Sequence, residues 1–129
     1  MKPASLVAIV PLMLAVSGLA NGQSACVYPQ APQSFPDGAT ASKDDLVTAQ
    51  TAIKTYQSAV EQTYLPCLEK EKNDSIAKLD AADEAYAQKK AALEEIHAKK
   101  HNAALDELQA VADRWKEEIT EYKARDKKE

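Results

Sequence analysis

From Cys67 to Glu129 the chain contains neither glycine nor proline. That run constrains the fold more than any other feature, because Gly and Pro are the residues a helix interior tolerates least, at about 1 and about 3 kcal/mol relative to Ala. The stretch is built from Ala, Glu, Lys, Leu, Gln and Asp, nearly all good helix formers. Its apolar series runs Ile76, Leu79, Tyr86, Leu93, Ile96, Ala104, Leu108, Val111, Trp115, Ile119, Tyr122. Between Tyr86 and Tyr122 the spacing averages close to ~3.6, the period of a straight helix, so ordinary packing is expected rather than a strict heptad seam. Trp115, on this stripe, reads as core. Asp74–Lys78, Glu95–Lys99 and Glu121–Arg125 place an acid four residues before a base, a weakly stabilising helical pair.

A second helical pattern precedes it. Ser42-Lys43-Asp44-Asp45 has the spacing of a capping box, with Asp in place of the usual Glu. Leu46, Ala49, Ile53, Tyr56, Val60, Thr63 or Tyr64, and Cys67 then follow at alternating steps of three and four, one apolar stripe on a helix. Pro66 removes a backbone donor and crowds the preceding turn, which predicts a kink about a turn earlier, or the end of this segment. Asn73-Asp74-Ser75 is the best place for the chain to reverse, since all three residues cap helices and suit turns. His97–Asn102, where charge interrupts the apolar stripe, is a second. The expected fold is all-α over residues 42–129: a long antiparallel helical hairpin with one reversal, or a three-helix bundle with two.

The N-terminal part is different. Residues 1–25 read as a secretory signal peptide: Lys2, an apolar run from Ala4 to Val16, then the small residues Ser17, Gly18, Ala20, Gly22, Ser24 and Ala25. The run is too short to cross a bilayer, which takes about 20 apolar residues. Cleavage after Ala20, Gly22 or Ala25 fits the small-residue rule. Residues 26–41 carry Pro29, Pro32, Pro36 and Gly38 and read as an extended, polyproline-like arm, with Pro36-Asp37-Gly38 a turn. Val27, Tyr28 and Phe35 are its apolar residues for contact with a helix.

Cys26 and Cys67 are the only cysteines. Export places them where disulfides persist, and the stripe puts Cys67 on the face the arm reaches, so an intramolecular bond is the preferred reading. It would tie the arm to the first helix and stabilise the fold by roughly 4 kcal/mol. Two intermolecular bonds and a redox pair are the alternatives, the latter without its usual Cys-x-x-Cys spacing. Ser24-Ala25-Cys26 also fits two positions of a lipoprotein signal. Acylation of Cys26 would exclude the disulfide.

A formal net charge of −4 argues against nucleic acid or an anionic membrane as the main partner, and no second apolar run follows the leader, so no transmembrane segment is expected in the mature chain. Large apolar residues are few, and a chain of this size with a thin core gains from a cross-link or a partner. Glu94, His97 and His101 share one helical face, and His at i and i+4 is metal-ligand spacing. Lys99 and Lys100 beside them would repel a cation, and two solvated histidines on a charged face are the preferred reading, so no metal is assigned. The sequence offers no motif for a catalytic set or a cofactor, and none is assigned.

Several short motifs carry a resemblance: Cys26 with Pro29 and Pro32, Phe35-Pro36-Asp37-Gly38, Tyr64-Leu65-x-Cys67-Leu68, and Lys100-His101-Asn102-Ala103-Ala104-x-Asp106-Glu107. Across most of residues 26–125 the chain resembles a group of small exported, periplasmic proteobacterial helical proteins of uncharacterised role. Pro66 and Trp115-Lys116 depart from that pattern. The resemblance implies export to the periplasm or beyond, a helical body and a disulfide, and brings no activity, substrate or cofactor. The expected role is a non-enzymatic envelope protein that binds another protein or itself, with a metal-responsive or chaperone-like stress factor as the alternative.

Overall fold

The computed structural model describes residues 24–128. The leader read at 1–25 therefore lies outside the described residues, except for Ser24 and Ala25. The regular structure among the described residues is all helical: α1 (Lys43–Ala59), a π-helical turn (Val60–Tyr64), α2 (Leu65–Ala77) and α3 (Tyr86–Asp126).

α1 begins where its cap says it should. The Ser42 hydroxyl accepts the Asp45 N–H at 3.1 Å and the Asp45 carboxylate accepts the Ser42 N–H at 3.2 Å, so the shorter acid closes the capping box. The Ser42 hydroxyl, followed by its N–H, holds the Asp45 carboxyl below its usual range. Pro66 has no N–H to offer, and its ring would crowd a carbonyl in the turn before it. The chain widens there into the π-helical turn, in which the Leu65 N–H reaches back to the Val60 carbonyl. The interruption anticipated upstream of Pro66 takes this form, and the helical path resumes as α2.

Neither expected reversal is a break. Asn73-Asp74-Ser75 lies inside α2 and His97–Asn102 inside α3. Asn73 donates to Glu69 at 3.3 Å and Asp74 accepts from Lys70 at 2.5 Å. Both side chains are thus engaged along the helix surface and do not compete for its backbone. The helix ends instead at 78–85, where two aspartates do compete. Asp80 accepts the Ala82 N–H at 2.9 Å and Asp83 the Ala85 N–H at 2.8 Å, each bonding the backbone two residues on. The Tyr86 N–H donates to the Asp83 carbonyl at 2.9 Å as α3 starts. Lys89 pairs with the Asp83 carboxylate, whose pKa is held low first by that contact and then by the Ala85 amide.

The core joins Tyr56, Val60, Tyr64 and Leu68 to Ala104 and Val111 of α3. Ala104 is 1% exposed, and its small side chain suits this close contact. The inward-facing line of α3 runs His97, Ala104, Val111, Glu118, Arg125, a step of seven throughout. That departs from the straight-helix period expected from the apolar letters. Three members of the line are polar, so counting hydrophobic residues hid the repeat. Ile96, counted on the stripe, is 51% exposed, and Trp115 is half-buried. Of the three acid–base pairs expected, Glu95–Lys99 forms at 2.7 Å. Asp74 has turned to Lys70, and Arg125 donates to the Ala39 and Ala41 carbonyls at 3.2 and 3.1 Å.

Residues 24–41 contain neither helix nor strand. Cys26 and Cys67 form a disulfide, with a Cα–Cα distance of 5.7 Å. Tyr28, Ala31 and Phe35 pack on the core cluster, whereas Val27, expected to join them, is 85% exposed. Pro36-Asp37-Gly38 does open a turn: the Thr40 and Ala41 N–H groups donate to the Asp37 carbonyl at 3.1 and 2.7 Å. Its glycine is needed for a reason other than backbone conformation, since φ is not positive at any described glycine. A Cβ at Gly38 would sit 1.9 Å from the Glu118 carbonyl oxygen of α3.

Candidate functional site

Where α1 and α3 run side by side, one flank of their seam is open. The floor is Ile53 of α1 with Leu105, Leu108 and Val111 of α3, and Gln57, Gln109 and Glu61 form the rim. The groove encloses about 420 Å³. Val111 lies on the inward line of α3, and Leu105 and Leu108 emerge beside it, Leu105 with 42% of its surface exposed. Two of the three rim residues are uncharged amides, with Glu61 the one charge among them, in a surface otherwise dense in charge.

A second open face lies between Pro29 and Pro32 and the outer side of α1, and encloses about 700 Å³. Val47, Ala52, Thr51 and Thr55 belong to its wall. The Thr51 hydroxyl donates to the Val47 carbonyl and the Thr55 hydroxyl to the Thr51 carbonyl, both at 3.0 Å. These i−4 bonds occupy the hydroxyl donors, so this wall is apolar despite its threonines.

Beneath residues 24–41 lies a tyrosine cluster. The Tyr28 and Tyr56 hydroxyls are 2.6 Å apart, and the Tyr28 ring meets the Tyr64 ring edge-on at 4.9 Å. Burial, then the Tyr56 hydroxyl and the Glu107 carboxylate, push the Tyr28 phenol above its ordinary value. Tyr56 is raised mainly by burial, with the Glu107 charge adding to it and the Tyr28 hydrogen bond opposing. Nearby, Glu71 accepts from the Ser24 hydroxyl at 2.5 Å and from Lys100 at 3.0 Å, and these contacts, Ser24 first, hold its carboxyl below the usual range.

The residues read as metal-ligand candidates are distributed differently. His97 turns into the α2–α3 seam, with its Nε2 3.2 Å from a Glu69 carboxylate oxygen. The contact is close but not aligned as a hydrogen bond, and Nε2 is buried. The His101 ring lies 5.7 Å from the His97 ring, and Glu94 faces Lys90 at 3.8 Å on the exposed side. Among the described residues, three ligand atoms within 4.8 Å of one another occur at Asp37, Glu118 and Glu121 instead. There Glu118, 4% exposed, already accepts the Gly38 N–H at 2.8 Å and Arg114 at 2.5 Å. Both its oxygens are engaged in holding the turn at Gly38 to α3. Sequence reasoning passed over Glu118 as one acid among many, although its place seven residues after Val111 marks it as inward-facing.

Comparison of the chain with protein-family models, curated proteins and solved structures gave no match.

Proposed function

We propose that this chain is a non-enzymatic exported protein whose mature part is a long antiparallel helical hairpin, and that it works by binding a helix of a partner protein. In this reading residues 26–41 form a proline-rich arm strapped across the hairpin through Cys26–Cys67. The carrying observation is the open slot over Ile53, Leu105 and Leu108, apolar at its floor and uncharged along much of its rim. An apolar floor shared by two helices suits a third helix laid along it, seated through apolar residues at steps of three and four. Export is supported by the reading of residues 1–25 and by the disulfide, a bond that persists mainly outside the cytosol. No described helix is long and apolar enough to cross a membrane.

A photo-reactive residue at position 105, in the native envelope, tests the reading. It should give a discrete cross-linked band that disappears when Leu108→Glu is added. Sedimentation of the purified chain tells whether that partner is a second copy. A chain that sediments as a monomer at high concentration and yields no position-105 adduct in the envelope would sink the proposal.

A further inference from the structure

Residues 24–36 are held to the helices in an unusual way. Among the described residues, no backbone–backbone hydrogen bond joins this segment to anything else, and the first such bonds of the region come from the turn at Asp37. Side chains and one covalent bond do all the holding: Cys26 to Cys67, Ser24 to Glu71, Tyr28 to Tyr56, and the packing of Ala31 and Phe35. The far end is anchored separately. Gly38 is pinned to Glu118, and Arg125 grips the Ala39 and Ala41 carbonyls. Segment 24–36 is thus a flap, hinged at one end on a polar anchor and fastened at the other by a disulfide.

The fastening is within reach of solvent. Both cysteines are half-buried, and they line a surface cleft of about 400 Å³ together with Lys70, Glu71, Asp74 and Lys78. What the flap covers is apolar: Tyr56, Val60, Tyr64 and Leu68 are all buried in the core cluster on which it packs. A buried tyrosine face without its cover would be a new surface rather than a melted helix, because α1, α2 and α3 keep their own backbone bonds.

We propose that the Cys26–Cys67 bond is a reducible clasp, opened by a dithiol, that sets whether segment 24–36 covers or exposes the tyrosine face of the helices. In opening, one thiolate of the dithiol attacks a cysteine sulfur, forms a mixed disulfide and displaces the other cysteine as a thiolate, which takes up a proton. The second thiol of the donor then attacks its own sulfur in the mixed disulfide. The donor leaves as a disulfide, and Cys26 and Cys67 each end as a thiol. Two electrons pass from donor to protein. The clasp does not rest on the reading of the Ile53–Leu105 slot, which lies on the open flank between α1 and α3 and shares Tyr56 with the covered face.

The test is nitration of Tyr28 in the mature chain through a dithiothreitol series, with hydrogen exchange read beside it over the helices and the turn. Reduction should expose Tyr28 to nitration. Protection of α3 and of the turn at Gly38–Thr40 should stay. The Cys26→Ser/Cys67→Ser chain, which has no bond to open, should behave as the reduced protein does at every dithiol concentration. Three results would overturn the clasp. One is a Tyr28 no more open to nitration after reduction than before. Helix protection can fall in the same step, which would make the bond a brace of the whole fold. Or the folded chain can withstand dithiol until it unfolds, which would mean that the sulfurs are not reached.

Discussion

The stretch from Ser24 to Ala41 meets the helices at two ends, and the two ends use opposite chemistry. At Cys26 one covalent bond sits in a half-open cleft with exposed charges around it. At Gly38 there is no covalent bond, and the contact instead demands close fit: a missing side chain, a buried amide, a buried carboxylate and the Arg114 that neutralises it. A disulfide works by restricting the unfolded chain, so its neighbours can be loose. A buried amide–carboxylate bond works only while both groups stay paired, because either one left alone is costly. The first anchor therefore tolerates changes around it and depends on redox conditions. The second is indifferent to reductant and sensitive to a single methyl group.

Each end can be broken on its own. Replacing both cysteines by serine should give the largest loss, about 4 kcal/mol for a loop of this length, read as a lower urea midpoint. Gly38→Ala comes next. Its Cβ would overlap the Glu118 carbonyl, and relief by shifting the turn should cost about 2–3 kcal/mol, as for other overpacked sites, with the loss unchanged by dithiothreitol. Glu118→Ala strands the Gly38 amide in a buried place and should cost about 1–3 kcal/mol, while Glu118→Gln, which keeps an acceptor, should cost less. Arg125→Ala removes a more exposed grip on Ala39 and Ala41 and should cost about 0.5–1 kcal/mol. At neutral pH the tyrosine cluster has no titration effect at all, and its signature appears only in alkali. Tyr28 and Tyr56 ionise later in the folded chain than in the unfolded one. Their contribution is complete below their ordinary pKa of about 10 and is lost as pH climbs from there toward the raised folded values. Tyrosinate absorbance should therefore show a late, cooperative fraction in the oxidised protein, and in the reduced protein an ordinary titration for Tyr28.

Much of the helical body could be read from the letters, because the interactions that set it are local. The Ser42 cap, the stripe from Leu46 to Cys67 and the disturbance before Pro66 each depend on residues within a turn or two. The reversal was misplaced because Asn73-Asp74-Ser75 and Asp80-Ala81-Ala82-Asp83 offer similar residue types. What decides between them is which side chains find helical neighbours, and Lys70 and Glu69 claim the first set. The inward line of α3 was hidden for another reason. His97, Glu118 and Arg125 face inward to meet partners from other parts of the chain, and hydrophobicity carries no sign of that. The slot over Ile53 and Leu105 could not be foreseen, since it exists only in the pairing of two distant helices.

The wide turn before Pro66 also sets the timing of everything after it. Tyr56, Val60, Tyr64 and Leu68 follow one another at steps of four, yet all four are buried on one side. In an unbroken α-helix each such step overshoots a full rotation by about 40°, and three in a row would carry the last residue well round the cylinder. The π-helical turn from Val60 to Tyr64 absorbs the surplus residue and brings Leu68 and Cys67 back into phase. Winding the same residues as an unbroken α-helix, with none removed, would tidy the helix locally while rotating all of α2 by about 100°. Cys67 would then point away from Cys26, so the proline that seems to disfigure the helix is what aims its sulfur.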